Sequence, residues 1–96
     1  MEKEIEKRLR NEVKKRGGLC LKWVSPGMDG VPDRLIFMPG RKLGLVEVKA
    51  PGKKPRKLQV KVHRMLERLG FEVDILDGAD QIDDLLDRIE KRSKEL

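Results

Sequence analysis

Residues 31–49 read VPDRLIFMPGRKLGLVEVK, and the punctuation of this stretch decides the fold. Asp33 to Met38 predicts a strand, Pro39-Gly40-Arg41 a turn, and Leu43 to Lys49 a second strand that alternates cleanly in its second half. So short a connection makes the two strands an antiparallel pair. In such a pair the start of the first strand lies beside the end of the second. Asp33 and Glu47 therefore meet at one edge of the sheet although 14 positions separate them. Glu47 and Lys49 are two apart, so their side chains share a face, while Val46 and Val48 point to the other face and into a core.

Upstream, Ile5, Leu9 and Val13 recur every fourth residue and predict an amphipathic helix over Glu2 to Arg16, ended by Gly17-Gly18. Leu19 to Val24 reads as a strand, and Ser25 to Pro32 (SPGMDGVP) as a loop rich in turn formers. Downstream, Ala50 to Lys57 (APGKKPRK) contains two prolines and a glycine and predicts no regular structure. Leu58, Val62, Met65, Leu66 and Leu69 then share one helical face over Leu58 to Leu69, stopped by Gly70. Phe71 to Leu76 reads as a fourth strand, and residues from about 81 to 93 as a last helix with Ile82, Leu85, Leu86 and Ile89 on one face. The strand–helix–strand run from Val46 to Leu76 suits a right-handed parallel crossover. The expected fold class is therefore α/β, in the order α-β-β-β-α-β-α with a four-stranded mixed sheet flanked by helices. Without repeats, low-complexity tracts or internal linkers, residues 1–96 read as one domain.

Composition narrows the function. The chain has 96 residues, 42% of them charged, and a net charge of +6. No apolar run approaches the roughly 18–20 residues of a membrane span. The start, MEKEIEKRLR, is charged where a secretion signal needs an apolar stretch. The lone Cys20 excludes a disulfide framework and any cysteine-rich zinc site, and fits a reducing, cytoplasmic setting. Trp23, Phe37 and Phe71 are too few for a base-stacking platform. The excess charge is concentrated: Arg41 to Arg64 holds nine bases and a single acid, Glu47, whereas residues 72–96 hold nine acids and four bases. A basic block of this kind suits a polyanion partner met by one face. The one acid inside that block stands out.

Two carboxylates converging with an ammonium in reach is what metal-assisted phosphodiester cleavage requires. Hard oxygen ligands suit Mg²⁺ or Mn²⁺, which keep several waters. The ion polarises the phosphate and acidifies a water, and the lysine orients that water or stabilises the developing charge.

The pattern PD, thirteen residues, then EVK resembles that of the PD-(D/E)xK nuclease superfamily. The longer string GVPDR…GLVEVKAPGKKPRKLQ, followed by a helix ending in LG and the strand FEVDIL, is similar to the VRR-NUC branch with its restriction-endonuclease-like core. The resemblance implies Asp33 and Glu47 as metal ligands, with the Val48 carbonyl as a third, and Lys49 as the catalytic lysine. It implies that Gln59, ten residues after Lys49, orients water or the scissile phosphate. It also implies a supporting glutamate from the first helix. Glu2 and Glu6 flank the apolar face there, and the family's spacing favours Glu2, with Glu6 second.

Lys53, Lys54, Arg56 and Lys57, with Arg34 and Arg41, are the candidate phosphate contacts, and their binding should weaken steeply with salt. His63, one helical turn after Gln59, reads as a partly exposed helix residue, with phosphate contact or assistance to proton transfer as the alternative. No recognition helix or finger module is evident, so backbone or shape recognition is expected. Standalone members resemble Holliday-junction resolvases, which act as two-fold dimers, so a homodimer is expected. The leading reading is thus a Mg²⁺- or Mn²⁺-dependent endonuclease on branched DNA. The alternatives are a non-catalytic binding module of the same fold and a nuclease acting on RNA. The acidic segment from Asp80 to Leu96 reads as either a dimer contact or a cover over the sheet.

Overall fold

A computed structural model describes residues 1–92 of the chain. Helix α1 (Glu2–Lys15) leads into strands β1 (Leu19–Lys22), β2 (Arg34–Met38) and β3 (Lys42–Val48). Helix α2 (Lys57–Arg68), strand β4 (Val73–Leu76), a 3-10 turn (Ala79–Gln81) and helix α3 (Ile82–Lys91) follow. The sheet order is β1-β2-β3-β4, antiparallel across the first three strands and parallel between β3 and β4. This is the α/β order and the mixed sheet that the sequence predicts. The expected last helix, to residue 93, ends at Lys91, and Ser93 and the rest of that expected segment lie outside the described residues.

The period of two sorts the strands into two faces. Ile36, Met38, Val46, Val48 and Leu76 pack with Ile5, Leu9 and Val13 of α1 and Ile82, Leu85, Leu86 and Ile89 of α3 in one buried core. Gly44 makes the close approach possible, since a Cβ there would collide with the Ile89 side chain. Arg16 ties the two helices together over this core, within 3.2 Å of Asp83, 2.8 Å of Asp87 and 2.7 Å of Glu90. The acidic last helix is therefore a cover over the sheet. Burying a Leu or Ile side chain stabilises by roughly 1.5–3 kcal/mol, and this face is where such burial is concentrated.

The opposite face carries α2. Its Leu66 joins Trp23, Leu35, Leu43, Leu45 and Phe71 around a small apolar cavity of about 190 Å³. The loop before β2 is pressed against the start of this helix. Gly30 sits at φ +93°, and a Cβ there would lie 2.9 Å from the Leu58 carbonyl oxygen, so no larger residue fits. Among the described residues no helix is long and apolar enough to cross a membrane.

Candidate functional site

The β2–β3 ladder pairs Arg34 with Val46, so Asp33, one step before β2 begins, stands opposite Glu47 within β3. The Asp33 backbone is held by the Trp23 N–H, which donates to its carbonyl at 2.8 Å. Its side chain is held by the Val48 N–H, which donates to Oδ2 at 2.9 Å. The Lys49 N–H donates to the Leu76 carbonyl at 2.9 Å, continuing the β3–β4 ladder past the strand end. The EVK tripeptide is thereby fixed from both sides, by Asp33 and by β4. Glu47 and Lys49 project toward α2, as their two-residue spacing predicts, while Val48 is buried in the core on the other face.

Glu47 is 1% exposed, the most deeply buried charged residue of the described chain. Oε2 accepts a hydrogen bond from Gln59 Nε2 at 2.8 Å and lies 3.1 Å from the Lys49 ammonium. Gln59 is itself oriented, because its Oε1 accepts the Arg56 N–H at 2.8 Å in the first turn of α2. That bond commits the amide nitrogen to the carboxylate. The other oxygen, Oε1, is buried without a hydrogen-bond partner among the described residues, and so is His63 Nε2, which faces it at 3.7 Å. Leaving such groups unpaired costs free energy, and a site that tolerates them is arranged for something else to bind.

Burial pushes the Glu47 carboxyl up to about 7; Lys49 opposes the shift and the nearby Asp33 charge adds to it. Burial likewise lowers His63 below the ordinary imidazole value. Two acids confined together with one oxygen unpaired is a donor set that a divalent cation would neutralise. Among the described residues no three His, Cys, Asp or Glu side chains form a cluster able to hold a metal ion by themselves. Two carboxylates suit instead a hard cation that keeps waters and takes up a phosphate oxygen.

The remaining candidates divide. Lys53, Lys54, Arg56 and Lys57 are exposed on the segment that leads from Lys49 into α2, at the same end of the sheet as the acids. Arg34 is not available to a ligand in this way. It follows Asp33, so it faces the α1 side, where it is 7% exposed and its Nη2 donates to Glu6 at 2.7 Å. Arg41 is placed away from the site, in the β2–β3 turn, about 20 Å along β3 from Glu47. Glu2 is exposed in the first turn of α1, on the sheet face opposite Glu47, and Glu6 is the glutamate of that helix engaged near Asp33, through Arg34.

The residue that sequence reasoning undervalued is His63. It is buried, not partly exposed, and faces Glu47, as its place one helical turn after Gln59 allows, because i and i+4 share a helical face.

The chain as a whole is similar to known proteins. Over 79 residues the chain is 51% identical to "Putative nuclease p44" of Acyrthosiphon pisum secondary endosymbiont phage 1, covering 82% of this chain and 85% of that protein. A solved structure described as "VRR_NUC domain" superposes with a TM-score of 0.84 at 29% identity, covering 90% of this chain and 94% of the other. No protein-family model matches.

Proposed function

The chain belongs to the VRR-NUC nucleases, and on that premise we propose that it is a Mg²⁺- or Mn²⁺-dependent DNA endonuclease, selective for branched structures and acting as a homodimer. The observation that carries the metal reading is the unpaired, buried Glu47 Oε1 beside Asp33. Asp33 and Glu47 would hold the cation, with the Val48 carbonyl as a further oxygen. Bound there, the cation supplies Lewis-acid polarisation of the phosphate and a more acidic water.

The chain's own residues do the rest. The Val48 N–H holds Asp33 Oδ2 and the Gln59 amide holds Glu47 Oε2, which leaves Glu47 Oε1 unpaired. Lys49, anchored by Glu47, places a positive charge where the pentavalent phosphate accumulates negative charge. A water gives up a proton as its oxygen bonds to phosphorus, the bond to the leaving sugar oxygen breaks, and that oxygen takes up a proton from solvent. The exposed bases from Lys53 to Lys57 approach the flanking backbone. What supports a homodimer is the open edge of β1, where Leu19 and Leu21, with Phe37 beside them, are exposed. Two copies related by a two-fold axis would cut a junction symmetrically.

The test is cleavage of junction, flap, nicked, duplex and single-stranded DNA, and of the matching RNA, with each metal and with chelator, alongside sedimentation of the free protein. Cutting of branched DNA that needs the metal, by a dimer, is the expected result. Equal cutting of every substrate would remove the structure selectivity, and a monomer that cuts would remove the two-fold scheme.

A further inference from the structure

Helix α2 departs from the rule that the other two helices follow. Helices α1 and α3 begin with acids, Glu2 and Glu4 in one and Asp83 and Asp84 in the other, as the positive end of a helix dipole favours. Helix α2 has no acid in its first turn and opens on Arg56 and Lys57 instead. Its bases continue as Lys57, Lys61, Arg64 and Arg68, a 4-3-4 spacing that keeps all four within an arc of about 60° and carries them along about 16 Å of helix. All four are exposed. Among the described residues none joins an ion pair, whereas Arg16, Arg34, Arg88 and Arg92 all do. Together with Val60 and Met65 they line a surface groove of about 460 Å³. Glu67 is the one acid of the helix.

We infer that the outer face of α2 is a track for the phosphate backbone of the substrate, with Lys61, Arg64 and Arg68 extending the contacts beyond the loop that precedes the helix. The inference rests on the nuclease reading and adds to it where the strand runs outside the scissile phosphate. A row of like charges with no internal partners repels itself, and an anionic strand relieves that repulsion. The track is also mechanically joined to the site. Gln59, in the first turn of the same helix, holds Glu47, so a strand seated on α2 stands at a fixed offset from the carboxylates.

The molecule supplies its own control. In α1, Lys3, Lys7, Arg10 and Lys14 have the same 4-3-4 spacing, are also exposed and also join no ion pair among the described residues, so what sets α2 apart is its place beside the site and its near lack of acids. That helix, however, carries Glu2, Glu4, Glu6 and Glu12 and covers the sheet face opposite Glu47. Replacing either set with glutamine removes the same net charge.

The experiment measures duplex DNA binding by the full chain in chelator, by fluorescence anisotropy between 50 and 300 mM KCl, the range being our choice. It compares wild type, the fourfold α2 variant (K57Q, K61Q, R64Q, R68Q), the α2 double variant K61Q/R64Q and the fourfold α1 variant (K3Q, K7Q, R10Q, K14Q). Each phosphate contact contributes about 0.9 to the slope of log affinity against log salt, so the fourfold α2 variant should lose about 3 to 4 and the double variant about 2. The α1 variant should lose less than about 1. Equal losses in the α1 and α2 variants would mean that bulk charge alone matters and would overturn the track. An α2 variant that binds as wild type does, from a protein that still cuts DNA, overturns the track and leaves the nuclease reading standing. A wild type that neither binds nor cuts any nucleic acid overturns both. Retention of the DNA slope with loss of binding to an acidic polypeptide would assign the stripe to a protein partner instead.

Discussion

The two faces of the sheet are built on opposite principles. Beneath α1 and α3 the packing is apolar around one buried ion, Arg34, and Arg34, Arg16 and Arg92 are paired with Glu6, the acids of α3 and Asp74, although Arg34 Nε has no hydrogen-bond partner among the described residues. Beneath α2 the chain buries a glutamate, a glutamine and a histidine, leaves two of their polar atoms unmatched, and carries unpaired bases outside. The first face has no evident use except stability. The second sacrifices some stability, and its polar groups converge on one carboxylate. Changes on the first face should therefore appear in unfolding, and changes on the second in catalysis.

The largest expected effect is on the second face. Glu47→Gln keeps the shape of the side chain but removes the charge, and cleavage of branched DNA should fall by about three orders of magnitude or more, while unfolding below about pH 4.5 is little changed. A variant that retains a tenth of wild-type cleavage would break the contrast. Next comes Leu86→Ala on the first face. It empties a fully buried position and should cost about 2–5 kcal/mol in urea unfolding, a large share of the roughly 5–15 kcal/mol that holds a small domain together. A cost below about 1 kcal/mol would mean that the core is not where the stability lies.

The pH dependence sharpens the comparison. Glu47 has its carboxyl raised to about 7, above its ordinary value of 4.5, so the metal-free fold must either keep the proton or bury the charge. Between those two values the unfolded chain has already lost the proton while the folded one still holds it. This contribution to stability is therefore full below about pH 4.5 and lost as pH rises through about 7. The difference in melting temperature between metal-free wild type and Glu47→Gln should widen over that range in favour of the variant. A difference that stays constant with pH would contradict the burial argument. Added Mn²⁺ should close part of the gap in wild type only. The smallest expected effect is that of Gln59→Ala, about 10–100-fold in cleavage or metal affinity, because it orients Glu47 through one oxygen without itself reaching the cation.

Much of this was legible in the residues and some was not, for physical reasons. The strand pair carrying Asp33 and Glu47 is marked by proline and glycine at the turns and by alternation within the strands, both local signals, and its register follows. The position of α2 over Glu47 was legible only as an apolar stripe, which says that a helix packs but not on what. His63 therefore reads as a partly exposed helix residue until the helix is seen lying against the polar end of the strands. Arg34 illustrates a signal present in the sequence: if Asp33 faces the site, the next residue faces away, and an arginine there must find an acid, which is the half-buried Glu6. Arg41 adjoins the basic block in sequence, but a hairpin puts its turn at the end farthest from where its strands begin and finish.

The central claim is that Asp33 and Glu47 bind the metal and Lys49 acts on the phosphate. It is tested most directly by measuring Mn²⁺ binding by calorimetry and branched-DNA cleavage side by side in wild type, Asp33→Ala and Lys49→Ala. The expected result is that Asp33→Ala loses both metal binding and cleavage, whereas Lys49→Ala still binds Mn²⁺ and does not cut. Cleavage by either variant at the wild-type rate, or wild-type cleavage that persists in chelator, would contradict it.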